Sequence, residues 1–256
     1  MSTQKLLVWP AIGRNFRTLG ESFLTAVTRY PWLIAVGAFA GYLLGEVSTS
    51  GSQNALSMYW ILTLGTMVML AFIGCRHASE TITQAKQGYP SIGRGLKYFA
   101  FGILLVVLIT GVIFGGMMIG FMGVAGKIGG GVTIWTILIA LSWVFGLYLS
   151  SRVILVMPAI AVGNTQTGFK RSWQITKGSE WRVIAILLVT YLVMAIIMKI
   201  PDVLSEFLLG GDILGVLLGG AILWWTQIVT TLFMAEATAR LFVFFLKPDI
   251  YPEYLK

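Results

Sequence analysis

Residues 213–246, ILGVLLGGAILWWTQIVTTLFMAEATARLFVFFL, hold no charged side chain before Glu236. A run of about 20 apolar residues crosses the roughly 30 Å hydrocarbon core of a bilayer, so this stretch predicts a spanning helix near 213–235. Continued to Leu246 as one straight helix it would be about 51 Å long at 1.5 Å per residue, longer than the hydrocarbon. Glu236 and Arg240 stand at i,i+4 and face the same way. That length places them near one membrane interface and not at mid-membrane.

The rest of the chain has the same character. Of 256 residues, 57% are hydrophobic and 11% charged, against roughly 25% charged in soluble domains. Further spans are expected near 31–47, 57–75, 98–123, 132–151 and 183–201. The reading is one membrane domain over 1–256, all-α and polytopic, with six transmembrane helices. The first 30 residues, with Arg14, Arg17, Glu21 and Arg29, do not read as a cleavable signal peptide. Cys75 is the single cysteine, so no intrachain disulfide forms.

Six spans with both termini on one side divide the 18 Lys and Arg residues sixteen to two, Lys127 and Lys199 alone falling opposite. The positive-inside rule puts both termini in the cytoplasm. The net charge of +8 is thus an asymmetry along the membrane normal, and its spread over membrane-proximal segments is not a nucleic-acid footprint.

Each pair of spans is preceded by a basic segment, near 13–30, 78–97 and 164–182, and its second span ends with an arginine: Arg76, Arg152 and Arg240. The pattern suggests three units of interfacial helix plus helical hairpin; any six-span protein with short outer loops shares part of it. A ring of these three arginines around Glu236, at the cytoplasmic mouth of the bundle, is expected. The alternatives for Glu236 are a locking ion pair or an ionisable site on a transport path.

The third basic segment contains GFKRSWQITKGSEWR, 168–182. On a helical wheel Phe169, Ser172, Trp173 and Thr176 share one face, opposite Lys170, Arg171, Gln174 and Lys177. This predicts an amphipathic interfacial helix with its aromatic face in the headgroup layer and its cations toward anionic lipid. Trp181 and Arg182 mark the entry of the fifth span. The surface Lys170, Arg171, Trp173, Lys177, Trp181 and Arg182 serves either topology and anchoring or a lipid or partner. In VILVMPAIAVG, 153–163, Pro158 breaks any continuing helix. A kink or re-entrant element is expected there, lining a cavity for lipid or solute.

Over 150–195, SRVILVMPAIAV followed by GFKRSWQITKGSEWRVIAILL resembles the glycerophosphoryl diester phosphodiesterase membrane-domain family and the YciC-like bacterial inner-membrane proteins. The matching positions are Arg152, Pro158, Ala159, Arg171, Ser172, Trp173, Thr176, Gly178, Trp181 and Arg182. Gly163 and Asn164 stand where the family usually has an acidic residue. The resemblance implies a membrane module without the catalytic barrel, in the bacterial inner membrane, with an accessory or envelope role.

No catalytic constellation is expected. His77, the single histidine, has Cys75 nearby and Glu80 as a thin third, short of a zinc site. The aspartates, 202, 212 and 249, fall on the outer side or in the tail, away from any triad with His77. GKIGGG, 126–131, lacks the Ser or Thr of a phosphate loop, and Gly116, Gly120 and Gly123 read as a helix-packing face. The expectation is a non-enzymatic protein without cofactor or metal that binds lipids with anionic headgroups, a membrane-protein partner or itself. A small transporter or lipid translocator is the alternative.

Overall fold

The computed structural model describes residues 8–86, 88–124, 132–201, 203–204 and 213–246. Lys5, Lys127, Asp202, Asp212, the GKIGGG segment and the tail from 247 onward lie outside them. The described residues are helical, in the order α1 (Val8–Arg29), α2 (Pro31–Ser50), α3 (Gln53–Thr83), α4 (Ile92–Val124), α5 (Val132–Val153), α6 (Val156–Val162), α7 (Phe169–Ile175), α8 (Glu180–Met198) and α9 (Ile213–Leu246). Five helical stretches are long and apolar enough to cross a membrane, and the pair α1–α2, bent by 80° at Tyr30, supplies a sixth when counted together. The chain is a multi-pass membrane protein.

The quoted stretch is the axis of the fold. In α9, Ile228, Val229, Leu232, Phe233, Leu241, Phe242 and Val243 are buried, and so are the smaller Thr230, Ala235, Ala237, Thr238 and Ala239 between them. These positions cover every side of the helix, as expected of one that is apolar all round. Helices α1, α2, α3, α6 and α8 pack against it. Lipid is as apolar as leucine, so close packing and not water exclusion holds membrane helices together. The closest packing is between α2 and α9. A Cβ on Gly41 would meet the Val216 carbonyl oxygen at 2.5 Å, and one on Gly220 would meet the Gly37 carbonyl oxygen and, at 2.7 Å, Gly41 Cα. These are backbone atoms that cannot swing aside. The face Gly37, Gly41, Gly45 is a small-residue pattern at i,i+4 spacing, and its partner is α9. Gly116 does the same for α4 and α5, seated against the Ser142 side chain.

Helix α1 carries three faces. Ile12, Thr18, Ser22 and Ala26 are buried against the bundle, Phe16, Leu24 and Val27 are exposed apolar residues, and Arg17, Glu21 and Thr28 are exposed polar ones. Such a partition suits a helix lying along an interface, the position expected for the segment near 13–30.

The expected threefold unit does not extend to the second copy. The segment 78–97 forms no interfacial helix of its own: α3 continues to Thr83, Gln84 takes a left-handed conformation (φ 53°), and α4 starts at Ile92. The third copy has only the seven-residue α7. Helices also outrun the apolar stretches that announced them. The run near 57–75 became Gln53–Thr83 and that near 213–235 became Ile213–Leu246, because hydropathy reports the hydrocarbon-depth part of a helix that continues past it.

The break expected at Pro158 falls at Ile154–Leu155, between α5 and α6. Pro158 has no N–H for the Ile154 carbonyl, and its ring crowds that carbonyl. Where a cavity was expected, the described side chains are closely packed. Ser150 to Val156, Pro158, Ala159 and Ala161 are all buried. Apolar side chains of α3, α4 and α9 fill the space around α6.

The glycine crossing yields a stability prediction. Gly220→Val should destabilise the detergent-solubilised protein by about 1–3 kcal/mol or more, the range for overpacking, read as a lower thermal midpoint. Gly65→Ala, at a position with nothing within 4 Å of the new Cβ, should not lower it.

Candidate functional site

The cation-rich ends of the helices converge. The C-terminal ends of α1, α3, α5 and α9 and the N-terminal end of α8 contribute three carboxylate–cation sets. Arg76 Nε donates to Glu80 Oε1 at 3.0 Å, and Arg29 Nη1 donates to Glu80 Oε2 at 3.1 Å. Arg76 also lies 4.9 Å from the centre of the Tyr89 ring. Arg240 donates to Glu236 Oε1 through Nη2 at 2.6 Å and Nε at 3.2 Å, and His77 Nε2 lies 3.4 Å from Glu236 Oε2. Arg152 Nη2 donates to Glu180 Oε1 at 2.6 Å. The expected ring of Arg76, Arg152 and Arg240 around the one carboxylate of Glu236 is therefore corrected to separate pairs in which each arginine has a carboxylate of its own. The physical reason is the cost of leaving a charge unpartnered at low dielectric, which one glutamate cannot offset for three guanidiniums.

Arg152, 5% exposed, is the best-connected of these. Its guanidinium also donates to the Tyr148 hydroxyl at 3.0 Å and the Trp173 carbonyl at 3.2 Å, and lies about 5 Å above both rings. In return Ser172 Oγ donates to the Arg152 carbonyl at 2.6 Å. These bonds dock α7 onto the end of α5. Protein covers part of the face that the wheel identifies, while Phe169 and Trp173 remain exposed. Ser172 and Thr176 are buried against protein, and Trp173 turns to Arg152 and Tyr148. Phe169 packs on Phe101 at 5.2 Å.

Docked in this way, 165–182 forms one wall of an open groove of about 1290 Å³, with Phe244, Phe245 and Leu246 at the end of α9 opposite. Lys170, Arg171, Lys177 and Arg182 line it together with Phe169 and Trp181, the latter 74% exposed. No lining residue is acidic, and none of the four cations forms an ion pair among the described residues. The groove thus combines positive charge with apolar surface at the N-terminal end of α8 and the C-terminal end of α9. Among the surface residues expected from sequence, Trp173 does not line it, and Pro158 sits in the packed core of α6. Nearby, Arg94 Nη1 donates to the Ala161 carbonyl at 3.5 Å and closes the C-terminal end of α6.

Sequence reasoning missed Glu180, Tyr148, Phe244 and Phe245. Arg76 and Glu80 are i,i+4, a local signal that could have named that pair; Arg152 and Glu180 are separated by 28 residues and carry no such signal. Among the described residues no three of His, Cys, Asp and Glu come together as a metal site. Comparison with protein-family models, curated proteins and solved structures finds no match.

Two outcomes follow from these contacts. Arg152→Lys keeps the charge but loses the planar fork that serves Glu180, Tyr148 and Trp173 together, so amide hydrogen exchange over 169–176 should rise while that of α9 stays unchanged. Glu236→Ala strips the carboxylate from a buried pair, a class of change that costs roughly 3–5 kcal/mol. The thermal midpoint in detergent should fall accordingly.

Proposed function

We propose that this is a non-enzymatic accessory protein of the bacterial inner membrane, with both termini cytoplasmic, that binds lipid or a membrane partner and contributes to envelope organisation or a larger complex. The observation that carries the proposal is the open groove of cations and aromatic side chains at the meeting of α7, α8 and α9. It offers charge and apolar contact for something that approaches along the interface. The cation asymmetry of the sequence supports the orientation. Native mass spectrometry of protein extracted gently from its own membrane should show a retained lipid or one stoichiometric protein companion. A bare protein, at every extraction condition that preserves its fold, contradicts the proposal.

A second reading, lipid translocation or small-solute transport, has one observation in its favour. The triad His77, Glu236 and Arg240 places ionisable groups within spanning helices α3 and α9, and such groups often mark transport paths. Proteoliposomes carrying a fluorescent phospholipid separate the two. The accessory reading expects no faster exchange between leaflets than protein-free vesicles. Exchange that the wild type supports and Glu236→Gln abolishes would establish the second reading in its place.

A further inference from the structure

Glu180 stands in sequence between two residues of the groove, Ser179 and Trp181. Left free, it would lie close along the chain to Lys177 and Arg182 and offset one of them. Instead Arg152 reaches across from the end of α5 and holds its carboxylate at 2.6 Å. Among the described residues the groove is left with four cations and no lining carboxylate. That charge pattern discriminates between lipids. A zwitterionic headgroup brings an ammonium, which finds no carboxylate here and four like charges. An anionic phosphodiester brings only its negative charge, and accepts charge-assisted hydrogen bonds from guanidinium and ammonium groups. The apolar lining explains why the anion is a lipid and not a free ion: Phe244, Phe245 and Trp181 border the same space at the ends of helices long and apolar enough to span a membrane, where aromatic side chains favour the headgroup layer. The space is also larger than the range of about 300–1,000 Å³ usual for small-ligand pockets.

The geometry points to a site for one anionic diacyl phospholipid, its phosphate held against Lys170, Arg171 and Arg182 and its chains against Phe245 and Trp181. Arg152 is the positioning residue that keeps Glu180 out of the site. The inference rests on the lipid-binding form of the proposed function and adds selectivity by headgroup charge.

Native mass spectrometry of the full chain in detergent, titrated separately with phosphatidylglycerol and phosphatidylcholine, tests it. Phosphatidylglycerol should bind as a single copy and more tightly than phosphatidylcholine. The variant K170Q/R171Q/R182Q alters exposed or half-exposed side chains and should keep its thermal midpoint. It should lose phosphatidylglycerol affinity by about fivefold per cation, the size expected of a cation near an anionic headgroup, with phosphatidylcholine binding unchanged. Glu180→Gln should leave phosphatidylglycerol affinity unchanged, because the carboxylate faces Arg152; a rise of several-fold would mean that Glu180 faces the groove, and would overturn the inference. Displacement of the lipid by millimolar inorganic phosphate would also overturn it, in favour of a soluble anion. Equal binding of the two lipids, or full phosphatidylglycerol affinity in the triple variant, removes the selective site but leaves lipid binding standing. If the wild type retains no lipid of either kind, the site falls, and the proposed function survives only through a protein companion.

Discussion

A charge without a partner is costly wherever water is scarce, and this constraint organises the cation-rich end of the molecule. Breaking a buried ion pair costs roughly 3–5 kcal/mol, so each arginine at a helix end is met by a carboxylate: Arg76 by Glu80, Arg152 by Glu180, Arg240 by Glu236. Two of these carboxylates have a further neighbour on another helix, Arg29 for Glu80 and His77 for Glu236, so the pairs also tie α1 to α3 and α3 to α9. The exposed Arg29 contact adds little energy, as surface pairs usually do, but it sets where the end of α1 rests. The four cations along 168–182 have no such carboxylate among the described residues, and they border the open groove.

The two halves of the architecture meet in Arg152. On one side it belongs to the packed core, where Ile154, Leu155, Ala159 and Ala161 are fully buried. On the other it holds the backbone of α7 and the first residue of α8. The turn after α6 is what allows this. α6 continues α5 past the break at Ile154–Leu155, the left-handed Gly163 (φ 73°) ends it, and the chain returns over the end of α5 as α7. Without that turn, the basic segment and the end of α9 would not form two walls of one groove. The α2–α9 glycine crossing supports the same arrangement from below, since α9 carries Glu236, Phe244 and Phe245 on one rigid axis.

Much of the fold was legible from charge and hydropathy. The long uncharged run before Glu236, the cation asymmetry and the basic segments identify a polytopic helical protein and locate its spans. Local pairs at i,i+4, Glu236 with Arg240, were legible too. Contacts between distant residues were not. Nothing in the sequence near Arg152 announces Glu180, and nothing near Trp173 says that its ring meets Arg152. A helical wheel identifies the face that Ser172 and Thr176 share, but it cannot say whether lipid or protein covers that face. The same limit produced the expected second interfacial helix near 78–97. Polarity there reflects the end of α3 and its partners, and a polar segment beside a membrane reads alike in both cases. The glycines of α2 were legible in principle as a small-residue stripe at 37, 41 and 45, though their partner on α9 was not.

The central claim is that the carboxylates are held by arginines of the bundle, so that the groove keeps its positive charge for a ligand. A cryo-electron microscopy map of the protein in nanodiscs of phosphatidylglycerol tests it most directly. The account predicts the Glu180 carboxylate on the Arg152 guanidinium, α7 docked onto the end of α5, and phosphate-sized density beside Lys170, Arg171 and Arg182. A map with Glu180 turned into the groove onto Lys177 or Arg182, and Arg152 bonded elsewhere, would contradict it.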